Sequence, residues 1–493
     1  MEGAAVGPIG AGDLIVVLPG ILGSTLYRGG KQVWGVNTIV RGVASFRRDV
    51  TRDLVLPPGA FENPAAGMPD DVIVGRPIRT HAIIPGFISV QGYDRLVANL
   101  ASRFPDDSGC VVEFPYDWRQ SNEYTARLLA IFVDDRLTAR RKFQPDAQVT
   151  FIGHSMGGLV ATFFAEHLDS QKVTRRIVTV GTPFQGSVNA LTVLVNGFTT
   201  VGPRRLELAE FVRSCPSIAE LLPTFPCVQT DTGATVPIQD LPEEFLPRQF
   251  VNRAIGFRRR PDDAATSMPG VGPTTHALLS FDQPTAIAAR LDESDRRHLA
   301  PVVVTDFENG GDGTVPRLSA SPAYWPDDSR AVFLSGRHSQ LQQMPEALVQ
   351  LNGILSARQR VVQGPDLSVA VSADPMVEVG QDWEVTAVSS TGVSDLALRL
   401  TVSDPWPVVL DGAAAPSAEP GDLPRDRGPS SPVGDPYEAQ IIEEVPLRPR
   451  SPGTYSARIS FRRPGSFDWS VSSVPGAGTS VPTVSDVIVC AAD

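Results

Sequence analysis

A chain of 493 residues is too long for one ordinary domain, and at roughly 150 residues per domain it suggests about three units. Hydrophobic residues at 42% and charged residues at 20% exclude wholesale disorder and fibrous repeats. The formal net charge of −12 excludes a nucleic-acid or polybasic lipid-surface binder held by bulk electrostatics.

The first apolar run, Leu14-Ile15-Val16-Val17-Leu18, is β-branched and ends at Pro19-Gly20, the pattern of a strand buried on both faces of a parallel sheet. An irregular stretch, 27–80, follows, with Trp34, Phe46 and Phe61 as apolar anchors. Tyr93, Leu96, Val97 and Leu100 then fall on one helix face. Strands are predicted at 110–114, 149–153 and 176–181, with helices at 122–142 and 156–168 between them. This alternation means crossover units on a mostly parallel sheet, an α/β domain. It breaks over about 187–273, which reads as an inserted cap above the functional face. It resumes with strands at 275–281 and 331–335 and a closing helix at 345–357. The α/β domain therefore takes residues 1–363.

From 364 to 493 the runs alternate with period two and are punctuated by Gly and Pro, as in Thr454-Tyr455-Ser456-Ala457-Arg458-Ile459-Ser460-Phe461. About seven such strands fit, which predicts a C-terminal all-β domain, a sandwich of the immunoglobulin-like kind. Residues 411–436, rich in Pro, Gly, Ala, Ser and Asp, read as a disordered loop within it.

Chemistry is concentrated in Gly153-His154-Ser155-Met156-Gly157, between a strand and a helix. This G-x-S-x-G arrangement is the nucleophile elbow: the turn is so tight that the serine takes strained dihedrals and lifts its hydroxyl above the sheet. A serine needs a base, itself oriented by an acid, in the chain order Ser, acid, His. Of the later histidines, His167 points away along the elbow helix, His276 sits inside a predicted strand, and His298 lies among charges. His338 falls in the loop between the last strand and the last helix, where the base belongs. Asp312 is the favoured acid because it alone is bracketed by glycine; Asp306 and Glu308 are rivals, and an Asp-Gly turn capping its own backbone is the structural alternative. An oxyanion hole requires two donors. Met156 N–H, after the nucleophile, is one, and Ile21 N–H, in Pro19-Gly20-Ile21-Leu22-Gly23-Ser24, is the other candidate.

These pieces resemble the lecithin:cholesterol acyltransferase family, which includes lysosomal phospholipase A2. The resemblance spans about seventy per cent of the chain, from 14 to 358. It is carried by Val17–Ser24, Ile84-Pro85-Gly86-Phe87, Pro115-Tyr116-Asp117-Trp118-Arg119, the serine elbow, Gly181–Ser187, Gly311–Pro316, His338 and the cap segment Pro216–Pro223. It implies an α/β-hydrolase fold, a Ser155, Asp312, His338 triad, an oxyanion hole at Ile21 and Met156, and an acyl group drawn from a lipid ester. The early cysteine pair of the secreted members is absent here, and the C-terminal β domain is not part of the family pattern.

The reading is a serine-dependent acyl-ester hydrolase acting on a lipid or ester substrate, with peripheral membrane contact. An acyltransferase using the same acyl-enzyme, and a binding or regulatory protein that keeps a hydrolase shell, are the alternatives. No metal or organic cofactor is expected, and residues 365–493 are expected to bind a protein partner. The sequence Met1–Asp13 lacks a basic and apolar leader pattern, and no apolar run approaches the ~20 residues that span a bilayer, so a cytoplasmic location is expected. Cys215 and Cys227 could pair only in an oxidising compartment. Asp117 paired to Arg119 reads as a structural corner, and Arg258-Arg259-Arg260 reads as a solvated charge run, with a lipid head-group contact as the alternative.

Overall fold

The computed structural model describes residues 12–35, 49–79, 81–84, 88–104, 110–201, 204–259, 273–291, 298–305, 310–325, 330–356, 367–390, 392–393, 396–404, 440–476, 479 and 481–491. Phe46, Pro85–Phe87, Arg260, Asp306, Glu308 and the 411–436 loop lie outside them.

Six parallel strands form the central sheet: β1 (Leu14–Leu18), β2 (Val111–Glu113), β3 (Val149–His154), β4 (Thr174–Val180), β5 (Thr274–Ser280) and β6 (Ala331–Leu334), in the order β6-β5-β4-β3-β1-β2. Every residue of β1 is buried, because helices cover both faces. Successive side chains point to opposite faces. Leu14, Val16 and Leu18 join one core with α2 (Asn122–Arg141) and α3 (Met156–Phe163). Ile15 and Val17 join the other with α1 (Asp94–Arg103) and α6 (Pro345–Leu355). The helix predicted over 156–168 is α-helical to Phe163 and finishes in a π turn, Phe164–Leu168.

The cap carries α4 (Val188–Asn196) and α5 (Arg248–Arg258). Its short strands Val228–Gln229 and Thr235–Val236 join Thr285–Leu291 and Leu299–Val304 in a four-stranded sheet. No strand is predicted over 285–304, yet two form there. Three alanines weaken the first run as a strand signal, and Pro301 interrupts the second, which the fold tolerates because that strand is at the sheet edge.

Two features hold the cap and the early lobe to the sheet. Arg119, fully buried, pairs with Asp117 and with Asp70 at 2.8 Å each, so the Asp-Trp-Arg segment is a structural corner. Trp118 packs edge-on against Trp34 of the early lobe. Glu220 of the cap, with no exposed side-chain surface, accepts the Asn122 N–H at the start of α2 (2.7 Å) and pairs with Arg253 at 2.5 Å. Arg258 departs from the solvated-run expectation. Its Nε donates to the Phe184 carbonyl at 2.8 Å, and burial lowers its pKa to about 10. All four cysteines are free and buried, so Cys215 and Cys227 are not paired. Among the described residues, no helix is long and apolar enough to cross a membrane.

Among the described residues, nine strands follow residue 366: β7 (Val369–Ala373), β8 (Met376–Glu378), β9 (Asp382–Ser389), β10 (Leu398–Asp404), β11 (Gln440–Pro446), β12 (Arg448–Ser451), β13 (Thr454–Ser460), β14 (Gly465–Ser473) and β15 (Val484–Ala491). They make a four-stranded sheet, β7-β9-β13-β12, and a five-stranded sheet, β8-β15-β14-β10-β11. Trp383, Phe461, Phe467 and Trp469 lie in the one apolar core that the two sheets share. Among the described strands of these two sheets, β8 with β15 is a parallel pair and the others run antiparallel.

Candidate active site

The strand-turn-helix from β3 to α3 forces Ser155 into φ 52°, ψ −125°, a conformation an L-residue rarely adopts. The glycines around it are needed for space. A Cβ on Gly153 would stand 2.5 Å from Gly158, one on Gly157 would stand 2.5 Å from the carbonyls of Leu18 and Pro19, and one on Gly20 would stand 2.8 Å from the Ser155 Cβ. The Ser155 N–H donates to the Val180 carbonyl, and its own carbonyl accepts from the Thr182 hydroxyl, so the turn is held from β4.

His338 and Asp312 reach this serine from the loop after β6 and from the segment between the Leu299–Val304 strand and β6. The Ser155 hydroxyl lies 3.0 Å from His338 Nε2, and His338 Nδ1 lies 2.7 Å from Asp312 Oδ2. All three residues are at most 2% exposed. With Nδ1–H donating to the carboxylate, Nε2 is free to accept the serine proton. The other carboxylate oxygen, Asp312 Oδ1, accepts the backbone N–H groups of Thr314 (2.9 Å) and Val315 (2.7 Å). One carboxylate oxygen of Asp312 thus faces His338 while the other caps its own turn. The His338 N–H also donates to the Asp312 carbonyl at 2.7 Å. Gly181, at φ 58°, leaves room for this pair: a Cβ there would stand 3.1 Å from Asp312 Oδ2 and 3.2 Å from His338 Nδ1.

Met156 is the first residue of α3, so its N–H has no carbonyl one turn back, and it lies at the helix start, where the dipole favours negative charge. Ile21 sits in the turn after β1, beside Leu22, whose φ is 63°. The Trp34 indole N–H donates to the Leu22 carbonyl at 2.9 Å, tying this turn to the early lobe.

His154, inside the elbow, is a participant that sequence reasoning passed over. Its Nε2 lies 3.1 Å from the His338 carbonyl, which can only accept, so Nε2 carries the proton. Burial first, and then the neighbouring His338, hold His154 well below the usual histidine range, so it is neutral and Nδ1 is an acceptor. That acceptor faces the Tyr93 hydroxyl at 2.9 Å, and the same hydroxyl accepts the Gly20 N–H at 2.9 Å. Asp282 was missed as well. Buried at the end of β5, its carboxylate accepts the Ser335 hydroxyl at 2.5 Å, at the start of the His338 loop. Its nearness to Ser335 in space has no counterpart in sequence spacing. His167 stacks on Phe163, away from the serine, and His276 lies in β5.

A cavity of about 130 Å³ opens beside Asp312 and His338. Among the described residues, no cluster of His, Cys, Asp and Glu is arranged to hold a metal ion.

Residues 88–241 match the sequence profile of the lecithin:cholesterol acyltransferase family. A relative, phospholipase A(1) LCAT3 of Arabidopsis thaliana, is 31% identical over 119 residues, 22% of this chain and 26% of that protein. The match thus spans about a quarter of the relative's length. The matched profile includes the Asp117–Arg119 corner, the elbow and the cap segment up to Pro223; Ile21, Asp312 and His338 lie outside it. Among solved structures, the lin2722 gene product of Listeria innocua aligns at 12% identity over 71% of this chain and 97% of its own, with a TM-score of 0.28. Bacillus licheniformis lipase BlEst2 in its propeptide form aligns at 11% identity over 99% and 95%, with a TM-score of 0.30.

Proposed function

Proceeding from an α/β-hydrolase domain similar to the lecithin:cholesterol acyltransferase family, we propose that this protein is a serine-dependent hydrolase of lipid acyl esters. The single observation that carries the reading is the continuous hydrogen-bond line from Ser155 Oγ through His338 to Asp312, at 3.0 Å and 2.7 Å. His338 Nε2 takes the hydroxyl proton as Ser155 attacks the ester carbonyl, and Asp312 stabilises the imidazolium. The N–H groups of Ile21 and Met156 hold the oxyanion. His338 returns the proton to the departing alcohol, leaving an acyl group on Ser155. Water, deprotonated by the same imidazole, releases the acid. The named activity of the Arabidopsis relative supports a lipid ester as substrate; contact with a membrane surface belongs to the same proposal.

Transfer of the acyl group to an alcohol differs only in which hydroxyl meets the acyl-enzyme. Incubating the protein with a radiolabelled phospholipid, with and without a long-chain alcohol, separates the two: free acid in both supports hydrolysis, and a labelled ester in the second supports transfer. Ser155→Ala should reduce turnover of a short acyl ester by ~10⁶-fold, by analogy with a protease triad. Near-full activity in that variant would remove Ser155 from the mechanism. A domain division near residue 363, an immunoglobulin-like sandwich after it, and a protein partner for that sandwich belong to the same proposal; the shared core of the two C-terminal sheets supports the sandwich. Four free thiols support a cytoplasmic location.

A further inference from the structure

The loops that carry Asp312 and His338 have little regular structure of their own, and they are held by the C-terminal β sheets. Asp486 of β15 reaches both neighbours of His338. Its Oδ1 accepts the Ser339 hydroxyl at 2.9 Å, and its Oδ2 pairs with Arg337 Nε at 3.0 Å. The same Oδ1 accepts the Ser89 hydroxyl and the Val487 N–H, each at 2.9 Å, so one carboxylate gathers four donors. Arg337 continues across the junction: it donates to the Val371 carbonyl of β7 at 3.0 Å and lies over the Trp469 ring. One residue further on, Gln340 accepts the Ser485 N–H at 2.6 Å.

The acid loop is held in the same way. Gln283 exchanges backbone hydrogen bonds with Gly311, next to Asp312. Its side-chain amide donates to the Val369 carbonyl and accepts the Val371 N–H, both on β7. The cavity beside the acid and base is lined by Asp374, Trp469 and Asp486 as well as by Asp312 and His338. A module merely tethered to an enzyme would have no need to grip the residues on either side of its base.

We propose that the C-terminal β sheets are a working part of the active centre, with Asp486 a positioning residue that holds His338 in line with Ser155 through Arg337 and Ser339. The proposal rests on the Ser155–His338 reading above. Its physical basis is that a base displaced by a fraction of an ångström loses its alignment with the hydroxyl, and a 1 Å misplacement can cost on the order of 10²-fold in rate.

The test uses the full chain and a small alkyl fluorophosphonate, which reacts with a base-activated serine. Stoichiometry of labelling reports how many sites are competent, and the rate per titrated site reports how well each is aligned. Asp486→Ala should still be labelled once per chain, on Ser155, but about tenfold or more slowly, with kcat on a p-nitrophenyl ester falling in step and KM within about twofold. Asp486→Asn keeps the acceptor for Ser339 but loses the charge facing Arg337, and Ser339→Ala removes only the other arm, so both should fall between wild type and Asp486→Ala. They carry the comparison if Asp486→Ala does not fold. Glu444→Ala, on an exposed ion pair of the same five-stranded sheet, should label like wild type. Rates per site equal to wild type in Asp486→Asn and Ser339→Ala would overturn the proposal while leaving the triad intact. A wild-type protein that is never labelled on Ser155 would instead remove the triad reading, and the proposal with it.

Discussion

Tyr93 and His154 are joined by a hydrogen bond of 2.9 Å in which the phenol donates to the imidazole, and the bond links two sides of the site. On one side the phenol oxygen accepts the Gly20 N–H of the turn that carries Ile21; on the other, His154 donates to the His338 carbonyl. Tyr93→Phe deletes the hydroxyl and leaves a buried N–H and a buried ring nitrogen without partners. The cost expected is about 1–3 kcal/mol of stability, with a fall in kcat larger than any change in KM. Equal kcat in the phenylalanine variant, measured alongside denaturant unfolding, would mean that the link does not support the oxyanion turn.

Gly20 packs directly against Ser155. Its missing Cβ leaves a gap that a methyl group would fill at 2.8 Å from the Ser155 Cβ. Gly20→Ala therefore has to move the serine or the turn, at a cost of about 1–3 kcal/mol for overpacking. Esterase activity should fall by about tenfold or more. A crystal structure of the variant with Ser155 unmoved, together with undiminished activity, would contradict this.

Glu220 anchors the cap to the start of α2 and to Arg253 from a fully buried position. Glu220→Ala leaves Arg253 and the Asn122 N–H facing an empty site. Breaking a buried pair by removing one partner costs about 3–5 kcal/mol. The denaturant midpoint should drop accordingly, and limited proteolysis should cut first between 188 and 258. An unchanged midpoint would show that the cap is held by its apolar contacts alone.

His276 in β5 makes stability depend on pH. Burial, then the charges of Arg176 and Arg330, lower its pKa to about 4 in the folded protein. Unfolding returns it to about 6.5, so below that value the unfolded chain binds the extra proton. Stability contributed by the neutral ring is fully present above about pH 6.5 and is lost as pH falls towards about 4. His154, also held neutral, acts in the same direction. His276→Asn should flatten this acid limb when thermal midpoints are compared across the range; an identical slope would rule His276 out.

The parts of the molecule legible in the chain are those governed by local pattern. Leu14–Leu18 reads as a doubly buried strand because five consecutive apolar residues leave no polar face, and the structure buries all five. The elbow is legible because only glycine at 153 and 157 permits so close a turn. The strand at 285–291 was not legible, since its partner at 228–229 lies far away in sequence and a short alanine-rich run has no strong propensity; the one at 299–304, which pairs with it, is interrupted by Pro301. Arg258 reads as one of three adjacent charges, yet backbone carbonyls of a distant loop claim it.

By itself, the amino-acid order determined the strand-helix alternation, the tight serine turn, and the candidates Asp312 and His338, because hydrophobic period and glycine spacing act over a few residues. Only the tertiary structure decided that these three side chains meet within 3.0 Å, that Tyr93 and His154 bridge the Gly20–Ile21 turn to His338, and that Asp486 grips the His338 loop from β15. Hydrogen bonds form between atoms brought together by folding, and nothing in the spacing of residues 93, 154, 338 and 486 along the chain encodes that they share one small volume.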